Sequence, residues 1–176
     1  LVITKKGHID SRLSDFQQVT CLESDHPIPS MLSIKAGEAL IEFINSSPKD
    51  HEFIFLISGG ASSLVEVLSD GVDLPLLQKL TDEMLASGMN IAEMNIIRRS
   101  ISKIKGGRLL NYLKEKTVYG LLISDVPNDD PAVIGSGLLT RVEDKKLPKN
   151  LSEQIKKILS STPSSELPPQ SAFSGV

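Results

Sequence analysis

Two short apolar runs restrict this chain to few architectures. Glu52-Phe53-Ile54-Phe55-Leu56-Ile57 and Val118-Tyr119-Gly120-Leu121-Leu122-Ile123 are apolar at successive positions rather than at alternate ones, and a Ser beside small or acidic residues follows each. A strand with one wet face alternates, whereas a parallel strand covered on both faces does not, so both runs read as buried parallel strands. Val2-Ile3-Thr4 and Val19-Thr20-Cys21-Leu22 are weaker strand candidates. Helical segments lie between them. Ser30 to Asn45 carries Ile34, Leu40, Ile41 and Ile44 near helical spacing. Asp73 to Ser87 has an N-cap Asp, Pro75 in its first turn, a stripe of Leu77, Leu80, Met84 and Leu85, and Gly88 to end it. Asn90 to Glu93 resembles a capping box, and Asn150 with Glu153 repeats it before Ile155, Ile158 and Leu159. Strands alternating with helices predict an α/β fold: a layered sandwich with a mostly parallel sheet flanked by helices, Rossmann-like in style.

The 176 residues are most simply one domain around a single core. Residues 1–160 carry the periodic segments, whereas 161–176 are rich in Ser and Pro and read as a linker or crossover. No apolar run approaches the roughly 18 to 20 residues that cross a bilayer, and the start lacks a secretory h-region, so a cytoplasmic protein is expected. A formal charge of -3 argues against a nucleic-acid surface and favours a small-molecule partner. Cys21 is the only cysteine, which excludes an internal disulfide and a cysteine-based zinc cluster. It reads as a small residue in a buried strand. The first residue is Leu rather than Met, so a processed product or a fragment is expected.

Four constellations carry potential chemistry. Ser58-Gly59-Gly60-Ala61-Ser62-Ser63 follows the first strong strand, and ligands of parallel α/β sheets gather at strand carboxyl ends. Two glycines let backbone N–H groups approach an anion, Ser58, Ser62 and Ser63 add donors, and the following helix N-terminus favours negative charge. The run is neither a Walker A loop nor a GxGxxG fingerprint. Ser124-Asp125-Val126-Pro127-Asn128-Asp129-Asp130 follows the second strong strand and suits Mg²⁺ bound together with substrate phosphates, the alternative being a solvated acidic turn. Ile134-Gly135-Ser136-Gly137 is a further flexible segment that could meet a phosphate. On a continuing helix Asn95, Arg98, Ser102 and Lys105 would share one polar, cationic face. Lys105, beside Gly106 and Gly107, is placed to neutralise a transferring phosphoryl group, while Arg99, Lys103 and Arg108 read as solvated. Asp25-His26-Pro27-Ile28-Pro29 presents His26 on a stiff loop, either to orient a substrate or serve as acid or base, or simply to bond backbone. His8 and His51 receive no role.

Taken in order, these motifs resemble the glycerate 2-kinase family with a MOFRL-type second domain, formerly often labelled hydroxypyruvate reductases. The carriers run from Val2 to about Thr140: Thr4 to His8, His26 to Pro29, Ser58 to Leu64, Ser87-Gly88 through Glu93-Met94-Asn95, Arg98 to Leu109, Ser124 to Asp130, and Ser136-Gly137. The resemblance implies ATP-dependent phosphorylation of D-glycerate, typically at the 2-hydroxyl, with Mg²⁺, in a cleft between this domain and a smaller C-terminal one. It places Ser58, Gly59, Gly60, Ser62 and Ser63 at the nucleotide phosphates. Asn95, Arg98 and Lys105 would face anionic groups, and Asp125 with Asp129 would hold metal or organise the site. A homodimer is compatible with it.

Three departures stand out: Ala61 where the family usually has a third glycine, Asn128 where it has glycine, and Leu138-Leu139-Thr140 where proline-threonine follows the serine-glycine. The family's glycine-rich segment with a catalytic lysine would precede Leu1. Two rival functions are a hydroxypyruvate reductase, which would need a nicotinamide site, and a degenerate homologue that binds a small anion without turnover. No GxGxxG with a following acid supports the first, and the altered positions are the best support for the second.

Overall fold

In a computed structural model the residues described are 1–143, 147–148, 151–163 and 165–169. Every strand among them pairs in parallel, which bears out the α/β class. β1 (Val2–Lys5) pairs with β2 (Cys21–Ser24), and β3 (Phe53–Ile57) with β4 (Val118–Leu122). Phe53 lies opposite Val118 and Ile57 opposite Leu122, so the two strong apolar runs are neighbours ending at one edge.

The strands nevertheless form two separate two-stranded ladders rather than one sheet. Nor is each covered on both faces. Phe53 and Ile57 are buried, but Ile54 and Leu56 between them are exposed, Leu56 at 77%, and Tyr119, Leu121 and Ile123 are exposed beside them. The burial of β3 therefore alternates although its sequence does not. One face packs on α1 (Met31–Ser46), where the Phe43 and Phe53 rings meet edge to face at 6.1 Å. The opposite face is an apolar surface. A cavity of about 490 Å³ opens between β1 and β3, lined by Val2, Ile3 and the length of β3.

The helix ends follow local chemistry. Ser30 caps α1, accepting from Leu32 N at 3.0 Å, while Ser33 Oγ accepts from Ser30 N. Asp73 caps α3 (Leu74–Ala86) through Leu76 N at 2.9 Å. Asn90 and Glu93 form the predicted reciprocal box on α4 (Ile91–Ser100). The last helix, α5 (Glu153–Ser161), is capped by Ser152, and the cap predicted at Asn150 lies outside the described residues. Between β3 and α3 lies a single turn, α2 (Ala61–Leu64).

Among the described residues there are two apolar clusters instead of one core. The first gathers α1, β3, Val65, Ile104, Leu109 and Ile134. The second packs α3, α4 and α5 through Leu80, Met84, Ile97 and Ile155. Two segments stitch them together: Ser69 N donates to Ile101 O and Lys103 N to Val67 O. Val65 and Ile104 belong to one cluster, Val72 and Ile101 to the other, so residues 66–69 and 102–103 form the seam.

Candidate active site

The carboxyl ends of the strands meet at a turn with little room. A methyl group placed on Gly59 would fall 2.1 Å from Oδ2 of Asp125, and one on Gly60 would fall 2.8 Å from the imidazole of His26. The loop after β2 and the loop after β4 therefore both touch the diglycine after β3. Gly60 adopts φ +84°, a left-handed conformation that glycine takes at little cost, and its N–H and that of Gly59 meet no acceptor among the described residues. Ser58, His26 and Asp125 are exposed around this turn, and Asp129, four residues after Asp125, is exposed as well. It is a rim with free backbone donors, a carboxylate and an imidazole within one loop's width.

Beneath the rim lies a polar layer shut off from solvent. Asn95 on α4 is 3% exposed, and its Oδ1 accepts from Ser136 Oγ at 3.0 Å. Ser136 sits between Gly135 and Gly137, all three at positive φ, and a methyl on Gly135 would lie 3.4 Å from Ala61 Cβ. Gly106 N donates to Ser136 O and Gly107 N to Gly137 O, which ties the two glycine turns together. At the seam Lys105, fully buried, forms an ion pair with Glu66 and donates to Val65 O at 3.2 Å. Glu66 also accepts from Ser102 Oγ at 2.6 Å and from Val67 N at 3.0 Å.

Burial sets the electrostatics of this layer. It pushes the Lys105 ammonium well down; the Glu66 charge and hydrogen bond work the other way, and Arg98 adds to the depression. Arg98, half-buried in the last turn of α4, is likewise pushed down by burial and partly restored by Glu66.

Several sequence expectations take a different form. The polar face of Asn95, Arg98, Ser102 and Lys105 does not lie on one helix, because α4 ends at Ser100 and Ser102 and Lys105 follow in a turn. Asn95 and Lys105 turn to protein partners inside the fold. Arg99 is not a solvated neighbour: it is 6% exposed and packs on Gly106. Lys103 pairs with Asp70 at 2.6 Å, and Arg108 bonds the carbonyls of Lys105 and Ser165. α2 has only four residues, too few aligned peptide dipoles for the helix-terminus attraction predicted there. Ser63 spends its hydroxyl on Gly60 O. The Ile134–Gly137 segment is buried rather than open to a phosphate. Asp130 caps its own turn through Ala132 N, and no group of three His, Cys, Asp or Glu side chains that could hold a metal forms among the described residues. Glu66 escaped notice altogether; its one signal is a carboxylate flanked by Val65 and Val67.

A family model described as a domain of unknown function, DUF4147, matches residues 1–169. The chain belongs to the DUF4147 family. A glycerate 2-kinase from Picrophilus torridus is 35% identical over 150 residues, covering 85% of this chain and 36% of that protein. A D-glycerate 2-kinase from Thermotoga maritima is 38% identical over 137 residues, covering 78% of this chain and 32% of its own length. The crystal structure of glycerate kinase from Thermotoga maritima superposes with a TM-score of 0.77 at 30% identity, over 95% of this chain and 42% of that one. The DUF4147 chain thus spans about a third of the curated relatives.

Proposed function

We propose that this chain is the larger-domain portion of a cytoplasmic glycerate 2-kinase that uses ATP and Mg²⁺ to phosphorylate D-glycerate at its 2-hydroxyl. Residues 1–160 would form the α/β domain and 161–176 a crossover toward a smaller C-terminal domain. The observation that carries the proposal is the convergence of His26, the Ser58–Gly60 turn and Asp125 at the strand carboxyl ends, in a chain similar to two glycerate 2-kinases.

Phosphoryl transfer asks a protein mainly to align donor and acceptor and to neutralise charge. The N–H groups of Gly59 and Gly60, with Ser58 and Ser62, are donors of the kind that cradle nucleotide phosphates. Ser63 and Asn95 support that cradle from within, through Gly60 O and Ser136. Arg98 supplies a cation for anionic oxygens, and Lys105 stands behind it. Mg²⁺ commonly rests on one or two carboxylates plus substrate phosphates, which the exposed Asp125 and Asp129 fit better than an all-protein cage. When bound, it would spread the charge of the transferring group.

The test is ADP release by the full-length protein supplied with ATP, Mg²⁺ and D-glycerate, with product analysis for the 2-phosphate. Absence of glycerate-dependent ADP sinks the proposal.

A further inference from the structure

Glu66 and Lys105 form a buried ion pair at the seam, and the half-buried Arg98 feels the Glu66 charge. Glu66, 1% exposed, receives Lys105 Nζ on Oε2 and both Ser102 Oγ and Val67 N on Oε1. Its backbone is pinned as well: Glu66 N donates to Ser33 O on α1, and Glu66 O presses on Gly37, where a methyl group would fall 2.1 Å away. The carboxylate therefore cannot swing out to a second partner. Arg98 is near enough for the Glu66 charge to stabilise its guanidinium, yet it has no hydrogen-bond or ion-pair partner among the described residues.

We propose that Glu66 is a positioning residue: by engaging Lys105 it leaves Arg98 free to bind an anionic oxygen of the phosphate-bearing ligand. The proposal rests on the anion-binding reading above and adds to it a residue that touches no ligand. Three facts support it. Lys105 is shut off from solvent, so its charge meets Glu66 rather than a ligand. Arg98 is half-buried with no ion-pair partner among the described residues, an unfavourable state that an anion from outside would relieve. Finally, Arg98 stands one turn of α4 from Asn95, which holds Ser136 in the turn that packs on Ala61, next to the Ser58–Gly60 turn in sequence.

If Lys105 were lost, Glu66 would become an unpaired buried carboxylate, and Arg98, which already feels its charge and has no ion-pair partner among the described residues, would be drawn onto it. If both charges of the pair were lost together, Arg98 would again be free.

The experiment uses the full-length protein and three variants, K105M, E66Q/K105M and R98M. The readouts are calorimetric Kd values for ATP and for inorganic phosphate, KM and kcat with glycerate, and the urea midpoint. K105M should weaken ATP binding and raise its KM by about tenfold or more, the size of a lost charge-assisted contact. E66Q/K105M should return both to within about threefold of the parent, and R98M should lose about tenfold with the 66–105 pair intact.

A folded E66Q/K105M that binds ATP as weakly as R98M overturns the proposal, because Lys105 itself would then make the contact. A K105M with unchanged Kd and only a lowered urea midpoint also overturns it, as the pair would then be structural alone. If K105M does not fold, the double variant decides against the parent, since it leaves no buried charge of the pair unpartnered. A parent that binds ATP but forms no ADP with glycerate removes the kinase reading and leaves this test standing. A parent that binds neither ATP nor phosphate removes both.

Discussion

Gly59→Ala displaces Asp125 with little interference from folding. Gly59 has no left-handed φ, so alanine brings no backbone strain. Its Cβ would lie 2.1 Å from Oδ2 and 2.7 Å from Cγ of Asp125, whereas ordinary contact begins near 3.4 Å. The carboxylate must move by more than 1 Å. Because Asp125 is exposed it can do so into solvent, so stability should change by no more than about 0.5 kcal/mol. A misplacement of about 1 Å can cost roughly 10²-fold in rate when alignment carries catalysis. The full-length Gly59→Ala enzyme should therefore lose on the order of 10²-fold in kcat for ADP formation at an unchanged urea midpoint. Gly71→Ala is the matched control: φ is +81° and nothing lies within 4 Å of the added methyl, so it should cost about 1 kcal/mol of stability and no activity. A Gly59→Ala enzyme within about threefold of the parent kcat would refute the reasoning, because the position of Asp125 would then not matter.

Gly37→Ala should behave in the opposite way, since its methyl would meet the carbonyl oxygen and carbon of Glu66 at 2.1 and 2.6 Å, and backbone cannot turn aside as a side chain can. About 3 kcal/mol of stability should be lost, read from urea denaturation, and a loss below about 0.5 kcal/mol would show that α1 is free to shift. On the open face, Leu56→Thr with Ile123→Thr should leave the urea midpoint of the 176-residue chain unchanged and lower its binding of a hydrophobic dye, because both side chains are more than 70% exposed. A clear drop in the midpoint would mean that the face is covered in solution.

The helix ends were legible because capping is local. Ser30, Asp73 and Asn90 each lie within three residues of the N–H they accept, so sequence spacing and structural contact are nearly the same information. The strands were legible as strands for a related reason, a run too apolar and too short for a surface helix. Their surroundings were not. Leu56 is as apolar as Ile57, yet one is open and the other buried, because apolarity expresses what a side chain tends to meet and only the rest of the fold decides what stands there.

The same distinction separates the two halves of the candidate site. Gly59, Gly60 and Asp125 stand just after β3 and β4, and the parallel pairing of those two strands brings such places together whatever the details of packing, whereas His26 is legible from its proline-stiffened loop and reaches the turn from the other ladder. Lys105 was found from its glycines, but those glycines serve another end: their N–H groups hold Ser136 and Gly137, and the lysine turns inward to a carboxylate 39 positions earlier. Nothing in the spacing of residues 95, 98, 102 and 105 signals Glu66, since an ion pair across a seam depends on how two apolar clusters meet. Charge that looks available in a sequence is available only after its buried partners are subtracted. Between Arg98 and Lys105 that subtraction leaves Arg98, the one of the two without an ion-pair partner among the described residues.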